Sequence, residues 1–198
     1  MRFESIAIGD ELLDGRVVDG NSGTLARALR ERGHLLSRTT IVLDDEPTIV
    51  AALREASDRG TTHIVVSGGL GPTEDDLTRQ AAAAWLGVAL AFDDASMTTI
   101  EGRFALAGMA ITDNNRRQAW FPEGARILPN DVGTAPAFSA MLGAMQAWFL
   151  PGVPSEYLFF LENHLLPTLT KDDRQLRTVR LKFYGMTESK VAAIVASN

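Results

Sequence analysis

The sequence predicts an α/β fold in which a parallel sheet is covered by helices on both faces. In the first two thirds of its 198 residues, short β-type runs alternate with helical patterns, which is typical of such a sheet. The run at residues 62–67 is largely apolar, as expected of a strand that is buried on both sides. Hydrophobic side chains make up 45% of the chain and charged ones 22%, so one substantial core can form.

Strands and helices alternate as far as residue 86, and a further helix follows. Small polar, acidic and proline residues favour the start of a helix, and glycine favours its end. In chain order the predicted elements are a strand at 3–8, a helix that Asn21 and Ser22 cap and Gly33 ends, a strand at 35–43, a helix started by residues 44–47, a strand at 62–67, and helices over 75–86 and 94–107.

Short strands and one further helix are predicted in the next stretch. Residues 126–150 read as strands with turns at Pro129-Asn130 and Gly143. Pro154 suits the first position of an apolar helix over 157–166, which Pro167 should end.

From Val179 onwards, the hydrophobic pattern indicates a separate strand and helix. Val179, Leu181 and Phe183 alternate with charged residues as in a half-buried strand, and Thr187 can cap a short helix. One strand and two helical turns cannot bury their own apolar faces. We therefore expect a main domain over 1–168, and a linker plus the start of a small second domain over 169–198. Docking of this tail on the main domain is the alternative.

Composition excludes several classes of protein. A formal charge of -6 and a pI near 5.1 argue against a nucleic-acid partner. The sequence has no cysteine, which excludes disulfides and thiolate chemistry. No signal peptide or long apolar segment is evident, so we expect a cytoplasmic protein without a membrane partner.

Polar and glycine-rich residues follow the predicted strands. In an open parallel sheet, ligands bind outside the carboxyl ends of the strands, so these segments are candidate site residues. They are Gly9-Asp10-Glu11, Asp44-Asp45, the run from Gly68 through Asp76, and the run from Pro151 through Glu156.

The glycine-rich run is the most informative of these segments. Gly68, Gly69 and Gly71 let backbone N–H groups approach a ligand just before a helix, which favours phosphate binding. The run is neither a Walker A loop nor a dinucleotide fingerprint. A tight turn in which Thr73 caps the following helix is the alternative.

Carboxylates near a phosphate loop would repel the ligand unless a cation is present. A divalent metal with oxygen ligands resolves that conflict and can polarise a phosphoryl oxygen. Each acid also has a simpler explanation: Asp10 and Glu11 as turn residues, and Asp44, Asp45 and Glu156 as helix-start acids. The polar residues 114–118 either contact the ligand or form an exposed helical turn.

Several short motifs follow one another in order along the chain. They are residues 8–13 with Gly15, Asp19 and Asn21; Asp44-Asp45; residues 67–78; residues 115–119; Pro129-Asn130; residues 133–136; and residues 150–156. Together they closely resemble the N-terminal domain of the competence/damage-inducible protein A (CinA) family over roughly residues 3–168.

That domain is similar to the molybdopterin-binding fold of the MoaB and Mog proteins. The resemblance implies a three-layer α/β sandwich with a mostly parallel sheet and a homo-oligomer. CinA-type domains are associated with metal-dependent hydrolysis of ADP-ribose to AMP and ribose 5-phosphate, which is the function we expect. The alternatives are a molybdopterin-binding protein of molybdenum cofactor biosynthesis and a ligand-binding module without turnover.

The resemblance also implies roles for individual residues. In the fold relatives the functional acids follow strand two and end the glycine-rich loop, which here are Asp44 or Asp45 and Asp76. We predict Asp45 and Asp76 as catalytic residues, a divalent metal on Asp10, Asp45 and Asp76, and the diphosphate on the amides of residues 69–73. The predicted ligand-binding residues are Gly9, Asp10, Glu11, Gly68, Gly69, Leu70, Gly71, Pro72, Thr73, Asp75, Asn115, Gly152 and Glu156.

Overall fold

A mostly parallel six-stranded sheet carries the fold. A computed structural model describes residues 1–170 and 182–196. Its strands are β1 (Phe3–Ile8), β2 (Leu36–Val42), β3 (His63–Ser67), β4 (Leu90–Phe92), β5 (Trp120–Pro122), β6 (Arg126–Leu128), β7 (Ala137–Leu142) and β8 (Met145–Leu150). Its helices are α1 (Asp10–Leu13), α2 (Gly20–Glu31), α3 (Glu46–Asp58), α4 (Thr78–Leu86), α5 (Asp94–Leu106), α6 (Pro154–Phe160) and α7 (Glu188–Ala196).

The strand order in the main sheet is β2-β1-β3-β8-β7-β6. The first four of these strands are parallel, with Ser5 opposite Val65 and Val65 opposite Trp148. Strands β7 and β6 complete the sheet in antiparallel pairing. The mostly parallel sheet expected from the sequence is confirmed, and the carboxyl ends of β1, β2, β3 and β8 lie at one edge.

Helices pack on both faces of this sheet. Residues alternate between the faces along a strand, so Ile64 and Val66 join the core under α3 and α4, whereas Val65 joins the core under α2 and α6. The first core includes Ile49, Leu53, Ala81, Ala82, Trp85, Phe138 and Phe149. The second includes Phe3, Leu25, Leu29, Trp148, Leu150, Tyr157 and Phe160. The three-layer arrangement is therefore confirmed.

A small outlying unit follows α4. Strands β4 and β5 pair antiparallel, and α5 packs on the 3-10 helix Asp113–Ala119. Met97, Ile100 and Ala119 form its core, with Phe92 and Phe104 against them. The sequence predicted the helix but not the strands, which are three residues long and too short to show a period.

Helix α4 begins at Thr78, three residues later than the predicted start at Asp75. The carboxylate of Asp76 folds back to the glycine-rich run, where it accepts backbone N–H bonds from Gly71 and Thr73. Those bonds hold residues 71–76 in a turn, so helix α4 can begin only after this turn. The alternative in which Thr73 caps this helix is therefore wrong: at α4 no side-chain cap is present.

The main core extends to Leu169, which is buried in the second cluster. Most of the strand predicted around Val179 lies outside the described residues, and Phe183, which is described, is exposed and not in a strand. The predicted final helix is present as α7. No helix in the described ranges is long and apolar enough to cross a membrane.

Candidate functional site

A pocket of about 480 Å³ opens at the carboxyl ends of the parallel strands. This is the place where open α/β sheets bind ligands. The lining residues come from the ends of β1, β2, β3 and β8 and from two neighbouring loops: Ile8, Gly9, Glu11, Asp44, Gly68, Gly69, Leu70, Gly71, Pro72, Thr73, Asp75, Asp76, Gln118, Thr134, Ala135, Pro151, Gly152, Val153 and Glu156. A cavity of about 670 Å³ lies at the other end of β3 and β8 and contains no part of the glycine-rich run.

The first two glycines of the run hold the loop close to its neighbours. Gly68 and Gly69 have φ values of 108° and 64°, which L residues rarely adopt. A Cβ on Gly68 would collide with the backbone oxygen of Ile8, and one on Gly69 with the hydroxyl of Thr78. That hydroxyl donates to the carbonyl of Gly68 at 2.8 Å, so the loop is joined to the start of α4.

Asp76 organises the rest of the loop. One carboxylate oxygen accepts the N–H of Gly71 at 2.7 Å, and the other accepts the N–H and hydroxyl of Thr73 at 2.8 and 2.5 Å. A Cβ on Gly71 would lie 2.5 Å from this carboxylate, so glycine is needed for the approach. The geometry gives Asp76 a positioning task in the loop.

These bonds reduce the set of amides predicted to bind a diphosphate. Pro72 has no N–H group, and the amides of Gly71 and Thr73 are already bonded to Asp76. The N–H groups of Gly69 and Leu70 have no acceptor in the described part of the chain. Of the amides predicted to bind a diphosphate, the consecutive N–H groups of Gly69 and Leu70 therefore remain available to an anionic ligand.

A buried cation lies behind these donors. Arg79 is 3% exposed and donates to the carbonyl of Leu70 at 2.9 Å and to that of Pro136 at 3.4 Å. Burial lowers the pKa of Arg79 to about 10, although the nearby charge of Asp76 raises it, so the guanidinium is protonated at neutral pH. Among the described residues Arg79 forms no ion pair. Its positive charge is therefore available to attract an anion bound at the loop.

The first two strand ends exchange hydrogen bonds. The N–H of Asp10 donates to the carboxylate of Asp44 at 3.0 Å, and the N–H of Asp44 donates to the carboxylate of Asp10 at 3.2 Å. Asp44 lines the pocket and Asp10 does not. Burial, together with repulsion from Asp10, Glu11 and Asp75, raises the pKa of Asp44 against the bond from the Asp10 amide.

Asp45 lies outside the pocket. Its carboxylate accepts the N–H and the hydroxyl of Thr48 at 3.0 and 2.6 Å and caps α3. Asp45 is therefore a helix-start acid, which is the simpler of the two explanations for this residue. Its carboxylate does not face the pocket, because a capping carboxylate must face the first turn of its own helix. Its neighbour Asp44 is the acid that faces the pocket.

The predicted metal ligands do not come together. In the described ranges, no group of three or more His, Cys, Asp and Glu residues is placed to hold a metal ion. Asp45 caps a helix and both oxygens of Asp76 accept bonds within the loop. The set Asp10, Asp45 and Asp76 therefore does not fit a preformed metal site.

Glu156 also lines the pocket. It lies in the first turn of α6, and its carboxylate accepts a 2.5 Å hydrogen bond from the side-chain amide of Asn130. Burial raises the pKa of Glu156, with the Asn130 bond and the charge of Arg103 opposing the shift. This carboxyl thus retains a proton to a higher pH than an exposed glutamate.

The polar 3-10 helix contributes a different residue from the predicted one. The side-chain oxygen of Asn115 accepts bonds from the N–H and hydroxyl of Thr112 and stays out of the pocket. Gln118, 1% exposed, lines the pocket, and its side-chain oxygen has no partner among the described residues. The polar run at 114–118 indicated that a side chain of this segment could contact the ligand, but the sequence does not tell which side chain turns inward.

The structure brings most of the predicted site residues to this one pocket. Those that line it are Gly9, Glu11, Gly68, Gly69, Leu70, Gly71, Pro72, Thr73, Asp75, Asp76, Gly152 and Glu156, and those that do not are Asp10, Asp45 and Asn115. The candidate segments contained Asp44 and Gln118, although neither was among the predicted catalytic, metal-binding or ligand-binding residues, and the prediction missed Thr134 and Ala135, which belong to the loop that packs against Glu156.

Comparison with known proteins agrees with this fold. A family model described as a probable molybdopterin binding domain matches residues 4–171. A CinA-like protein of Anaeromyxobacter sp. (strain Fw109-5) is 43% identical over 190 residues, which are 96% of this chain and 46% of the relative. A CinA-like protein of Anaeromyxobacter dehalogenans (strain 2CP-1 / ATCC BAA-258) is 46% identical over 84% of this chain and 41% of the relative. The chain spans less than half the length of these two relatives.

Solved structures give the same result. The crystal structure of CinA from Thermoplasma acidophilum, a protein described as having unknown function, matches with a TM-score of 0.75 at 33% identity. The match covers 81% of this chain and 94% of that one. The molybdopterin biosynthesis enzyme MoaB from Thermus thermophilus matches at 19% identity with a TM-score of 0.52 over 83% of this chain and 93% of that one, which shows a shared fold. The chain belongs to the family of probable molybdopterin binding domains, where it groups with CinA and the CinA-like proteins.

Proposed function

We propose that the pocket binds ADP-ribose and hydrolyses its phosphoanhydride to AMP and ribose 5-phosphate. The observation that carries the proposal is the pair of free N–H donors on Gly69 and Leu70, backed by the buried charge of Arg79. Donors that are already oriented before the ligand arrives stabilise the negative charge of a diphosphate without reorganisation. The resemblance to CinA-type domains supplies the reaction.

Asp44 is suited to activate the attacking water. It lines the same pocket as the free amides, and its pKa is raised, which brings its basicity closer to that of an effective general base. In the proposed step the water oxygen bonds to one phosphorus atom and its proton passes to Asp44. The bond from that phosphorus to the bridging oxygen breaks, and the bridging oxygen leaves with the other phosphate.

The acidic lining of the pocket bears on whether the reaction needs a cation. Glu11, Asp44, Asp75, Asp76 and Glu156 line the pocket, and no lysine or arginine of the described ranges does. Since like charges repel a diphosphate, we propose that a divalent cation accompanies the ligand, although the chain has no preformed cage for one in its described part. Activity is therefore compared with and without each cation of a panel.

The test is incubation of the purified protein with ADP-ribose and chromatography for AMP and ribose 5-phosphate. We expect both products in equal amounts. Asp76→Asn should lose most of the turnover because an amide cannot accept all three loop bonds, whereas Asp58→Asn on the exposed end of α3 should not. Absence of both products with every cation would refute the hydrolase.

A second candidate is binding of molybdopterin in molybdenum cofactor metabolism. The observation that favours it is the family match over residues 4–171, together with the fold shared with MoaB. Molybdopterin carries a phosphate that the same two donors would bind. Saturable binding of a pterin phosphate without release of AMP from ADP-ribose would select this function or a module without turnover.

The ligand class and the oligomeric state of the protein are also proposals. We propose a small phosphorylated ligand, since the charge of -6 favours neither nucleic acid nor an anionic membrane surface. We also propose a homo-oligomer, which the resemblance to the MoaB and Mog proteins implies. Light scattering after gel filtration gives the mass in solution, and a monomer at micromolar concentration would contradict the oligomer.

A further inference from the structure

A second cavity of about 270 Å³ lies next to the pocket. Helix α5 forms one side with Ala95, Ser96, Thr99 and Arg103, and β6 with the loop after it forms the other. The lining is mainly apolar, unlike the acidic lining of the pocket. Its volume is below the about 300 Å³ at which sites for drug-sized ligands begin, so it suits one ring system and not a whole nucleotide.

The two cavities share one wall, the loop of residues 129–136. Thr134 lines both cavities. Asn130 holds this loop: its side-chain amide donates to the carbonyl of Ala135 and to Glu156, and its side-chain oxygen accepts the N–H groups of Val132 and Gly133. Because Asn130 is 2% exposed and fully bonded, the shared wall is a firm part of both cavities.

Arg103 gives the second cavity a polar group. The guanidinium is 3.7 Å from the carboxylate of Asp131, while its Nε is buried without a hydrogen-bond partner in the described part of the chain. An unpaired buried donor favours a ligand that brings an acceptor. A planar guanidinium also stacks well on a flat ring.

We propose that this second cavity binds the planar nitrogen heterocycle of the ligand whose phosphate groups lie in the pocket. An apolar cleft lined by Arg103, whose Nε is unpaired, suits a flat base that carries ring nitrogen acceptors. The ligand would cross over Thr134, with its phosphates at Gly69 and Leu70 and its ring against α5. The inference rests on the proposed function, which supplies the phosphate end.

Two adjacent residues of α5 provide the test. Thr99 and Thr98 are both exposed, and each hydroxyl donates to the carbonyl four residues earlier, at 3.0 and 2.9 Å. Only Thr99 lines the second cavity. Thr99→Phe should therefore fill the cavity, and Thr98→Phe imposes the same helix cost without filling it. Ala95→Leu is a second filling variant.

Calorimetric titrations compare ADP-ribose with inorganic pyrophosphate, which has no ring. We expect Thr99→Phe and Ala95→Leu to weaken ADP-ribose binding at least tenfold, to leave pyrophosphate binding within twofold, and Thr98→Phe to change neither. A pterin phosphate is titrated in the same way. If the filling variants weaken binding of only one of the two ligands, that ligand shows whether the cavity takes a purine or a pterin ring. Thermal unfolding confirms that each variant is folded.

The outcomes separate this inference from the function on which it rests. If both filling variants bind ADP-ribose and the pterin phosphate as tightly as the parent does, the ring lies elsewhere and the inference is overturned, while the phosphate site stands. Equal loss of pyrophosphate binding would also overturn it, because the variants would then act on the pocket itself. If the parent binds none of the three compounds, the proposed function fails and the inference fails with it.

Discussion

Asp44 and Asp45 are neighbours in the chain, but their carboxylates have different partners. Asp44 bonds to the backbone of Asp10 and lines the pocket, and Asp45 bonds to Thr48 and caps α3. The two residues leave β2 in succession, so their side chains turn to different sides of the strand end. The prediction from sequence chose Asp45, and the geometry favours Asp44 for the chemistry.

Replacing each acid by asparagine tests this assignment. We expect Asp44→Asn to lower the turnover of ADP-ribose about 100-fold, the low end of what a general base contributes. Asp45→Asn should stay within twofold of the parent, because asparagine caps a helix as well as aspartate does. Since the pKa of Asp44 is raised above its ordinary 3.8 and the base acts ionised, the parent's kcat/KM should fall as the pH drops through that raised pKa.

Initial rates with ADP-ribose between pH 4 and 8 measure both effects. Circular dichroism confirms that the two variants keep the fold of the parent. Loss of turnover in Asp45→Asn with retention in Asp44→Asn would restore the assignment made from the sequence.

At single residues, the sequence predicts the backbone part of the site better than the side chains. Gly68, Gly69 and Gly71 could be placed at the pocket because turns with positive φ or close contacts require glycine. Asn115 and Gln118 belong to the same polar run, but Asn115 bonds to Thr112 in the capping box of the 3-10 helix, whereas Gln118 lines the pocket. The polar run alone does not tell these two outcomes apart.

At the scale of elements, β1 is linked to the α3–β3 connection by a buried ion pair. Glu4, 1% exposed in β1, accepts bonds from the guanidinium of Arg59 at 2.7 Å and from the hydroxyl of Thr61 at 2.7 Å. Burial raises the pKa of Glu4, but these bonds and the charges of Arg59 and Arg2 outweigh it and lower the pKa below the ordinary value of 4.5. The pair lies at the end of the sheet opposite the pocket.

Breaking this pair should destabilise the protein in a pH-dependent way. We expect Glu4→Gln to lower the free energy of unfolding by about 2 kcal/mol at pH 7, as for the loss of hydrogen bonds to a charged group. Because the folded pKa is the lower one, the unfolded chain takes up the proton first as the pH falls. The stabilisation is therefore complete above about pH 4.5 and is lost as the pH drops through the folded pKa.

Urea denaturation of the parent and the variant at pH 7, 5 and 4 measures the difference. Glu55→Gln is the matched control, because Glu55 is an exposed partner of the same Arg59 at 3.5 Å, and exposed pairs contribute less than about 1 kcal/mol. Equal losses in Glu4→Gln and Glu55→Gln would contradict the special role of the buried pair.

Most of the elements that build the sheet could be predicted, because their periods and boundary residues agree. The prediction failed where a long-range contact decides the boundary, as at Thr78, where Asp76 delays the helix. It also failed for β4 and β5, whose three-residue pairing is stabilised by the small core around Met97 and Ile100. Local sequence carries no sign of that core.

At the scale of the whole molecule, the parallel sheet explains why distant segments form one pocket. Residues 9–11, 44, 68–76 and 151–156 follow strands that all end at the same edge. This convergence could be predicted from the α/β pattern alone. The loop of residues 129–136 could not, because it reaches the pocket from the antiparallel part of the sheet, where the strand-end rule does not apply.

The extent of the folding unit gives the last prediction. The second core includes Leu161, Leu165 and Leu169, and the ring of His34 bonds to the carbonyl of Thr170 at 2.9 Å. By contrast, the side chains of residues 182–195 are exposed or at most half-buried. We therefore expect a chain of residues 1–170 to unfold cooperatively with a midpoint within about 3 °C of the 198-residue chain, which corresponds to less than about 1 kcal/mol.

A chain of residues 1–160 is the control. It lacks the buried leucines at 161, 165, 166 and 169, and each buried leucine contributes about 2–5 kcal/mol. Their combined loss of about 8–20 kcal/mol is as large as the whole stability of about 5–15 kcal/mol that a domain has, so this shorter chain should not fold. Circular dichroism melts compare the three chains. If residues 1–170 melt far below the full chain, the tail stabilises the main domain, and docking rather than a separate second unit describes residues 182–196.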